Sequence, residues 1–251
     1  MPRDSTNASI LSTWRYRVKG ARGTNEPFLD IKKGIGVWRD RQHAIRVPGR
    51  PSEGWHPKTF FQVCMTEPRM ANQVPRFHER KLDPAWLHEI GTILGDDQLS
   101  VLDTGARFNM LDTDPLRHNP TVSFLNMATV RDLQRRTGLV IDPRRFRMNV
   151  WYDNGDPWSE LAWANDYPGT REFDAGRIRF RMQDACERCE AINASPETGQ
   201  HDADLLTAID AALHEIGYAG SPHRGTFNVM GFLATPLADG RLYRRQNITI
   251  H

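Results

Sequence analysis

The sequence predicts a mixed β fold with peripheral helices, and three observations carry that prediction. Short runs such as "WRYRVKG" (14–20), "DRQHAIRV" (40–47) and "TFFQVCMT" (59–66) are separated by turns bearing Gly and Pro, a spacing that suits a barrel or sandwich. Further along, "RFRMNVWYD" (145–153) and "GRIRFRM" (176–182) alternate with the period of two that turns successive side chains to opposite faces. Helical periodicity, by contrast, is confined to a few isolated stretches.

The first of those stretches is 83–94, where Asp83 serves as a cap, Pro84 takes the first helical position, and Leu87, Ile90 and Leu94 share a face. Residues 95–121 read as a strand followed by an irregular polar stretch, a join between two lobes. In 124–138, Met127, Val130 and Leu133 fall at helical spacing and Gly138 is placed to end the helix. The strand expected over 145–153 sets Phe146, Met148, Val150 and Tyr152 on one side, with Arg147 and Asn149 together on the other. The segment 176–182 buries Ile178, Phe180 and Met182. A helix over 202–217 follows from the stripe Leu205, Leu206, Ile209, Leu213 and Ile216, with Gly217 as the stop. The tail, 226–250, reads as strands that close a sheet or barrel. The organisation expected is an N-terminal β-rich lobe over 10–120 and a second unit over 121–251.

Apolar residues at 39% and charged residues at 25% are ordinary for a soluble globular protein and exclude wholesale disorder. A net charge of +2 over 251 residues argues against a general nucleic-acid binder. The basic residues are lopsided, because only five of the 33 are lysines. That bias has two readings: base composition expressed on a solvated surface, or guanidinium forks holding phosphate or another planar anion. Three cysteines cannot make a fully paired disulfide framework, and "MPRDSTNASI" lacks the apolar core of a signal peptide. With no run near the roughly 18 apolar residues of a membrane span, the expectation is a cytoplasmic protein with no membrane span and no nucleic-acid partner.

Two of the cysteines stand three positions apart in "DACERCEAINASPETGQHD" (184–202). A structural zinc site needs four ligands, and no second Cys pair or closely spaced His pair follows; His201 and His214 are too far on. A redox pair belongs at a helix N-terminus, whereas here an extended piece and a Pro-Glu-Thr-Gly turn follow. Two buried free thiols packing as small apolar groups remain a third reading. Cys64, in an apolar run, reads as core.

Taken in order, these motifs resemble the MOSC family, the domain named after the C-terminal part of the molybdenum cofactor sulfurase, and in particular bacterial relatives of the mitochondrial amidoxime reducing component. "CERCEAINASPETG" (186–199) is similar to that family's strand ending in Cys-x-Arg-Cys followed by a Pro-x-Thr-Gly turn. "FRMN" (146–149) resembles its Phe-Arg-Pro-Asn strand, with Met148 standing in for the proline. "LNMATVRDL" (125–133), "NGDPWSELAW" (154–163), "YRVKG" (16–20) and "RDR" (39–41) occur in the family's order. The C-terminal end departs from the pattern, having "GTFNVMGFLATPLADGRLYRRQNITIH" where relatives carry a Gly-Val-Tyr-like strand.

The resemblance implies a MOSC-type β-barrel core plus an N-terminal β-rich lobe, and a molybdenum cofactor, a Mo-pyranopterin. It implies Cys189 as the catalytic thiolate that ligates the metal, and a supporting role for Cys186. It also implies Lys19, Arg41 and Arg147 as cationic cofactor contacts, joined by Asn149, Asn126 and Thr129. The activity implied is reduction of N-hydroxylated small molecules, with electrons from a separate donor protein, since three cysteines cannot also house a plant-type iron–sulfur centre. The alternative is a sulfur carrier in which Cys189 bears a persulfide.

Overall fold

The last strand closes the sheet into a barrel. In the computed structural model, which describes residues 8–46, 84–94, 100–103, 120–164, 171–220 and 228–251, β13 (Asn247–Ile250) pairs antiparallel with both β9 (Glu172–Ala175) and β1 (Ala8–Arg15). From β9 the order runs through β10 (Ile178–Glu187), β11 (Val229–Pro236), β7 (Val122–Asn126) and β8 (Val150–Asp153) back to β1, a closed ring of seven strands. β2 (Thr24–Glu26) hangs on β1 outside the ring. Closure leaves no open edge within the ring.

Within the ring only β7 and β8 run parallel. A parallel pair demands a crossover, which is supplied by helix α2 (Met127–Thr137) and the 3-10 helix Pro143–Phe146. Helix α3 (Ser159–Ala164) packs against β10 and β11, and α4 (Leu205–Glu215) packs against α2. Outside the ring lie helix α1 (Pro84–Leu94), a three-stranded sheet of β3 (Phe28–Lys32), β4 (Gly36–Val37) and β12 (Gly240–Tyr243), and the pair β5 (His43–Arg46) with β6 (Ser100–Asp103). The mixed β class with peripheral helices and a barrel core is therefore the observed one.

The barrel interior is filled by Phe124, Phe173, Phe180 and Phe232, all fully buried. Phe124 stacks on Phe232 at 5.0 Å between centroids and meets Phe173 edge-on at 5.3 Å, while Phe173 stacks on Phe180 at 5.4 Å. Each such ring contributes about 1.5–3 kcal/mol on removal from water, so the four rings form an aromatic plug within a larger apolar core.

β10 buries Ile178, Phe180 and Met182 while Arg179 and Arg181 face outward. Its register against β11 then shifts twice, between Met182 and Asp184 and between Ala185 and Glu187. The second shift puts an additional residue on β11 opposite Cys186, and Gly231 there has φ 74°. A Cβ on Gly231 would lie 2.5 Å from the Phe124 carbonyl oxygen. Glycine is needed at this bulge for both reasons, and the bulge breaks the inside–outside alternation where β10 reaches its cysteines.

The elements seen in the sequence shift in detail. Helix 83–94 is present as α1, with Asp83 outside the described residues. Residues 124–126 finish β7, and Asn126 caps α2 by accepting from the Ala128 N–H at 3.0 Å; Gly138 ends that helix at φ 70°. Helix 202–217 begins at Leu205, capped by Asp204. Over 145–153 the structure corrects the expectation: Asp142 caps and Pro143 opens a 3-10 turn, Arg147 is left-handed at φ 50°, and the strand starts only at Val150. Arg147 and Asn149 consequently do not share a strand face.

Of the expected first lobe, residues 47–83, 95–99 and 104–119, with "TFFQVCMT" and Cys64, lie outside the described residues. β1, from that half, is a stave of the barrel. Among the described residues no helix is long and apolar enough to cross a membrane.

Candidate functional site

Past β1 the chain bends at Tyr16, and the stretch 16–19 is laced to 41–43. The Arg41 N–H donates to the Tyr16 carbonyl, the His43 N–H to that of Arg17 at 3.2 Å, and the Lys19 N–H to that of His43 at 2.8 Å. Asp40, 1% exposed, accepts from the Tyr16 N–H at 2.7 Å and forms an ion pair with Arg41. The Arg41 guanidinium lies 4.7 Å from the Tyr16 ring centroid and donates through Nη2 to the Arg147 carbonyl at 2.6 Å. Arg41 is thus held against Tyr16 and tied to the distant main chain of Arg147, while Lys19 joins the same segment through its main-chain bond to His43. Burial pushes the Tyr16 phenol well above its ordinary pKa in spite of the arginines nearby, so it stays protonated. It donates to the Met148 carbonyl at 3.4 Å.

Beside Tyr16 opens a small cleft of about 40 Å³, lined by Trp14, Gly23, Ala194 and Pro196 and by four arginines, Arg22, Arg144, Arg145 and Arg147. Two tight turns build its walls. Because the 3-10 helix Pro143–Phe146 ends at a left-handed Arg147, Arg144, Arg145 and Arg147 leave the chain in quick succession. Opposite stands a second 3-10 helix, Glu190–Asn193, and the turn after it, in which Ser195 Oγ accepts from the N–H groups of Glu197 and Thr198 at 3.3 Å. Arg145 ties the walls together, donating to the Asn193 carbonyl at 3.1 Å and pairing with Asp202 at 2.7 Å. Gly23 has no room for a Cβ, which would fall 2.4 Å from the Tyr16 ring.

Arg145 is 9% exposed, and its Nε, like Nε1 of Trp14, is buried without a hydrogen-bond partner among the described residues. Unpaired buried donors are costly. Two such atoms belong to residues that line the cleft, and its four arginines suit an anionic group with acceptor oxygens.

The cysteines differ sharply. Cys186, at the end of β10, is 1% exposed, and burial raises its pKa above the ordinary thiol value although Arg188 and Arg41 act against the rise. Cys189 is exposed and opens the Glu190–Asn193 turn, whose far end carries the cleft residues Ala194 and Pro196. Between them Arg188 lies over the Phe146 ring, 6.0 Å from its centroid. Among the described residues no group of three or more His, Cys, Asp or Glu side chains is placed to hold a metal, so a protein ligand set of the zinc type is not formed there.

Three residues expected to contact a cofactor are engaged by the protein instead. Asn126, fully buried, donates to Asn154 at 3.1 Å, to the Asp156 carbonyl at 2.9 Å and to Glu160 at 3.0 Å. Thr129 donates to Glu160 at 2.9 Å and accepts from the Trp158 N–H at 2.8 Å. Asn149 accepts from Ser123 Oγ at 2.8 Å and donates to the Trp14 carbonyl at 3.1 Å, joining β7 to β1. None of the three lines the cleft. Local spacing in the sequence does not single out Arg22, Arg144, Arg145 or Arg188; the excess of arginine over lysine is a signal without an address.

The described residues thus form a closed barrel with an exposed thiol, Cys189, at the start of the turn that leads to an arginine-lined cleft. Residues 116–232 match the model of the MOSC domain family. It is 31% identical over 123 residues to the molybdenum cofactor sulfurase of Drosophila ananassae, a match taking in 48% of this chain and 15% of that protein. Against the molybdenum cofactor sulfurase of Drosophila willistoni it is 35% identical over 85 residues, 34% of this chain and 10% of that one. The chain thus spans a small part of the curated relatives it matches. Among solved structures, the YUAD protein from Bacillus subtilis aligns over 99% of this chain and 97% of its own, at 10% identity and a TM-score of 0.46.

Proposed function

We propose that this chain binds the molybdenum cofactor with Cys189 as the protein's thiolate ligand and reduces N-hydroxylated small molecules. The observation that carries the reading is the exposed Cys189 thiol at one end of a turn whose other end walls a cleft of four arginines. The four arginines that line the cleft suit the phosphate of such a group. When bound, the cofactor supplies two-electron chemistry that removes oxygen from nitrogen, consuming two protons and releasing water.

The chain's own residues provide the rest. A soft thiolate at Cys189 suits a transition metal already held by sulfur. Arg147 and Arg145 balance phosphate charge, while Arg41 fixes the main chain at Arg147 and so aims that side chain. Tyr16, held neutral by burial, gives the cleft a floor without charge of its own. Electrons come from a separate donor protein.

A second reading, carriage of sulfur as a Cys189 persulfide, is favoured by the sulfurase relatives. Elemental analysis and intact mass on protein made in a host that synthesises the cofactor separate the two. Stoichiometric molybdenum in the wild type, lost in Cys189→Ser, supports the first; a reducible extra sulfur without metal supports the second. Molybdenum retained in Cys189→Ser overturns the ligand assignment.

A further inference from the structure

The mouth of the cleft holds an anion of the protein's own. Glu197, more than half exposed on the Ser-Pro-Glu-Thr-Gly turn, places its carboxylate between two cleft arginines: Oε2 lies 2.5 Å from Arg22 and Oε1 pairs with Arg144. The three residues come from the segment after β1, the 3-10 turn before β8, and the turn after the cysteines. Nothing local in the sequence requires them to meet. Their meeting point is the rim of a cavity that Arg145 and Arg147 also line.

Each arginine has a second anchor that does not depend on Glu197. Asp142 accepts from Arg144 Nε at 2.9 Å and from Nη2 at 2.5 Å, and Arg22 Nη2 reaches the Pro196 carbonyl at 3.4 Å. Both guanidinium groups therefore stay in position when Glu197 swings away, and a glutamate side chain on the surface swings without disturbing its turn. The two arginines hold Glu197 below the usual carboxylate pKa, so near neutral pH the anion is always present.

We propose that Glu197 is a resident surrogate for an oxyanion ligand: an entering phosphate or similar tetrahedral oxyanion displaces its carboxylate from Arg22 and Arg144. No covalent bond changes; one anion replaces another on the same two cations. The displaced carboxylate sets the affinity, since only the fraction of molecules with Glu197 released is competent to bind. This deepens the reading above by giving the same cleft a gate for anions, yet it does not require molybdenum.

Inorganic phosphate is the probe, titrated by calorimetry into the full-length chain at fixed ionic strength, with molybdenum content measured separately. Glu197→Gln, close in shape and without charge, should bind phosphate about two- to tenfold more tightly than wild type, the range expected when two exposed ion pairs no longer compete. Adding Arg144→Gln or Arg22→Gln to that variant should abolish the gain. Glu197→Ala should reproduce it, which separates competition from an effect of the amide. Phosphate affinity unchanged or weakened in both Glu197 variants, or a gain that survives loss of both arginines, overturns the proposal. Because the probe carries no metal, those outcomes leave the molybdenum reading to its own test.

Discussion

Arg41 spans the gap between two halves of the chain: its guanidinium pairs with Asp40 and donates at 2.6 Å to the main-chain carbonyl of Arg147. The bond fixes a left-handed residue, the point at which the chain leaves a 3-10 turn and enters β8. Arg41→Ala should therefore lower stability by about 3–5 kcal/mol, the range for stripping one partner from a buried ion pair. Arg41→Lys should recover part of that loss, since an ammonium keeps the charge but cannot serve both acceptors in a planar fork. Denaturant melts of the two variants check the order; equal losses would contradict it.

The two thiols should respond unequally to the same change. Cys186→Ser puts a hydroxyl where the side chain is 1% exposed, at a cost of about 1–3 kcal/mol. Cys189→Ser, on the surface, should fall within about 0.5 kcal/mol of wild type. Thermal unfolding distinguishes them, and in the native protein a thiol reagent should modify Cys189 while leaving Cys186 intact.

Glu160 is enclosed by Asn126, Thr129 and the Gly231 main chain, and burial lifts its pKa to about 7 even though those hydrogen bonds oppose the rise. In the unfolded chain it releases its proton near the ordinary 4.5. Between those limits the folded state binds more protons than the unfolded state, so stability contributed by this group falls as pH rises and levels off above 7. The total is on the order of 3 kcal/mol. Glu160→Gln, which mimics the protonated acid, should remove that slope. The acid limb, where Asp174 is held down to about 2 chiefly by Arg179, lies below this window and should not change. Parallel pH profiles for variant and wild type between 4.5 and 7 would refute the assignment.

Gly231 and Gly34 both have positive φ, but only Gly231 is crowded: a Cβ there would meet the Phe124 carbonyl at 2.5 Å, whereas one on Gly34 would have nothing within 4 Å. Gly34→Ala should cost about 1 kcal/mol, the left-handed penalty alone. Gly231→Ala should cost more than about 2 kcal/mol, because the strain at φ is joined by a clash that main chain cannot yield to. Urea midpoints for the pair provide the comparison.

Where side chains alternate or a glycine must stop a helix, the sequence was sufficient: Ile178, Phe180 and Met182 are inside, and Gly138 ends α2. Alternation misled at 145–153, since Phe146 and Met148 are buried from a 3-10 turn and its exit as readily as from a strand. The pattern records burial, not backbone. Asn126 and Thr129 could not be read from local spacing, because Glu160, which occupies them, sits about 30 residues downstream on α3. Arg22, Arg144 and Glu197 meet only through the tertiary fold, and no periodicity reports a contact between positions so far apart. Cys189 stood out because thiols are scarce in this chain.

β13 is the keystone, touching both β9 and β1. Closing the ring joins residues 8 and 9 to 248 and 247, the pairing most distant in sequence among the described strands, and contacts of that separation form slowly because a long loop must close first. Until then the β13-facing edges of β1 and β9 stay open, and an open strand edge is a template on which chains misassociate.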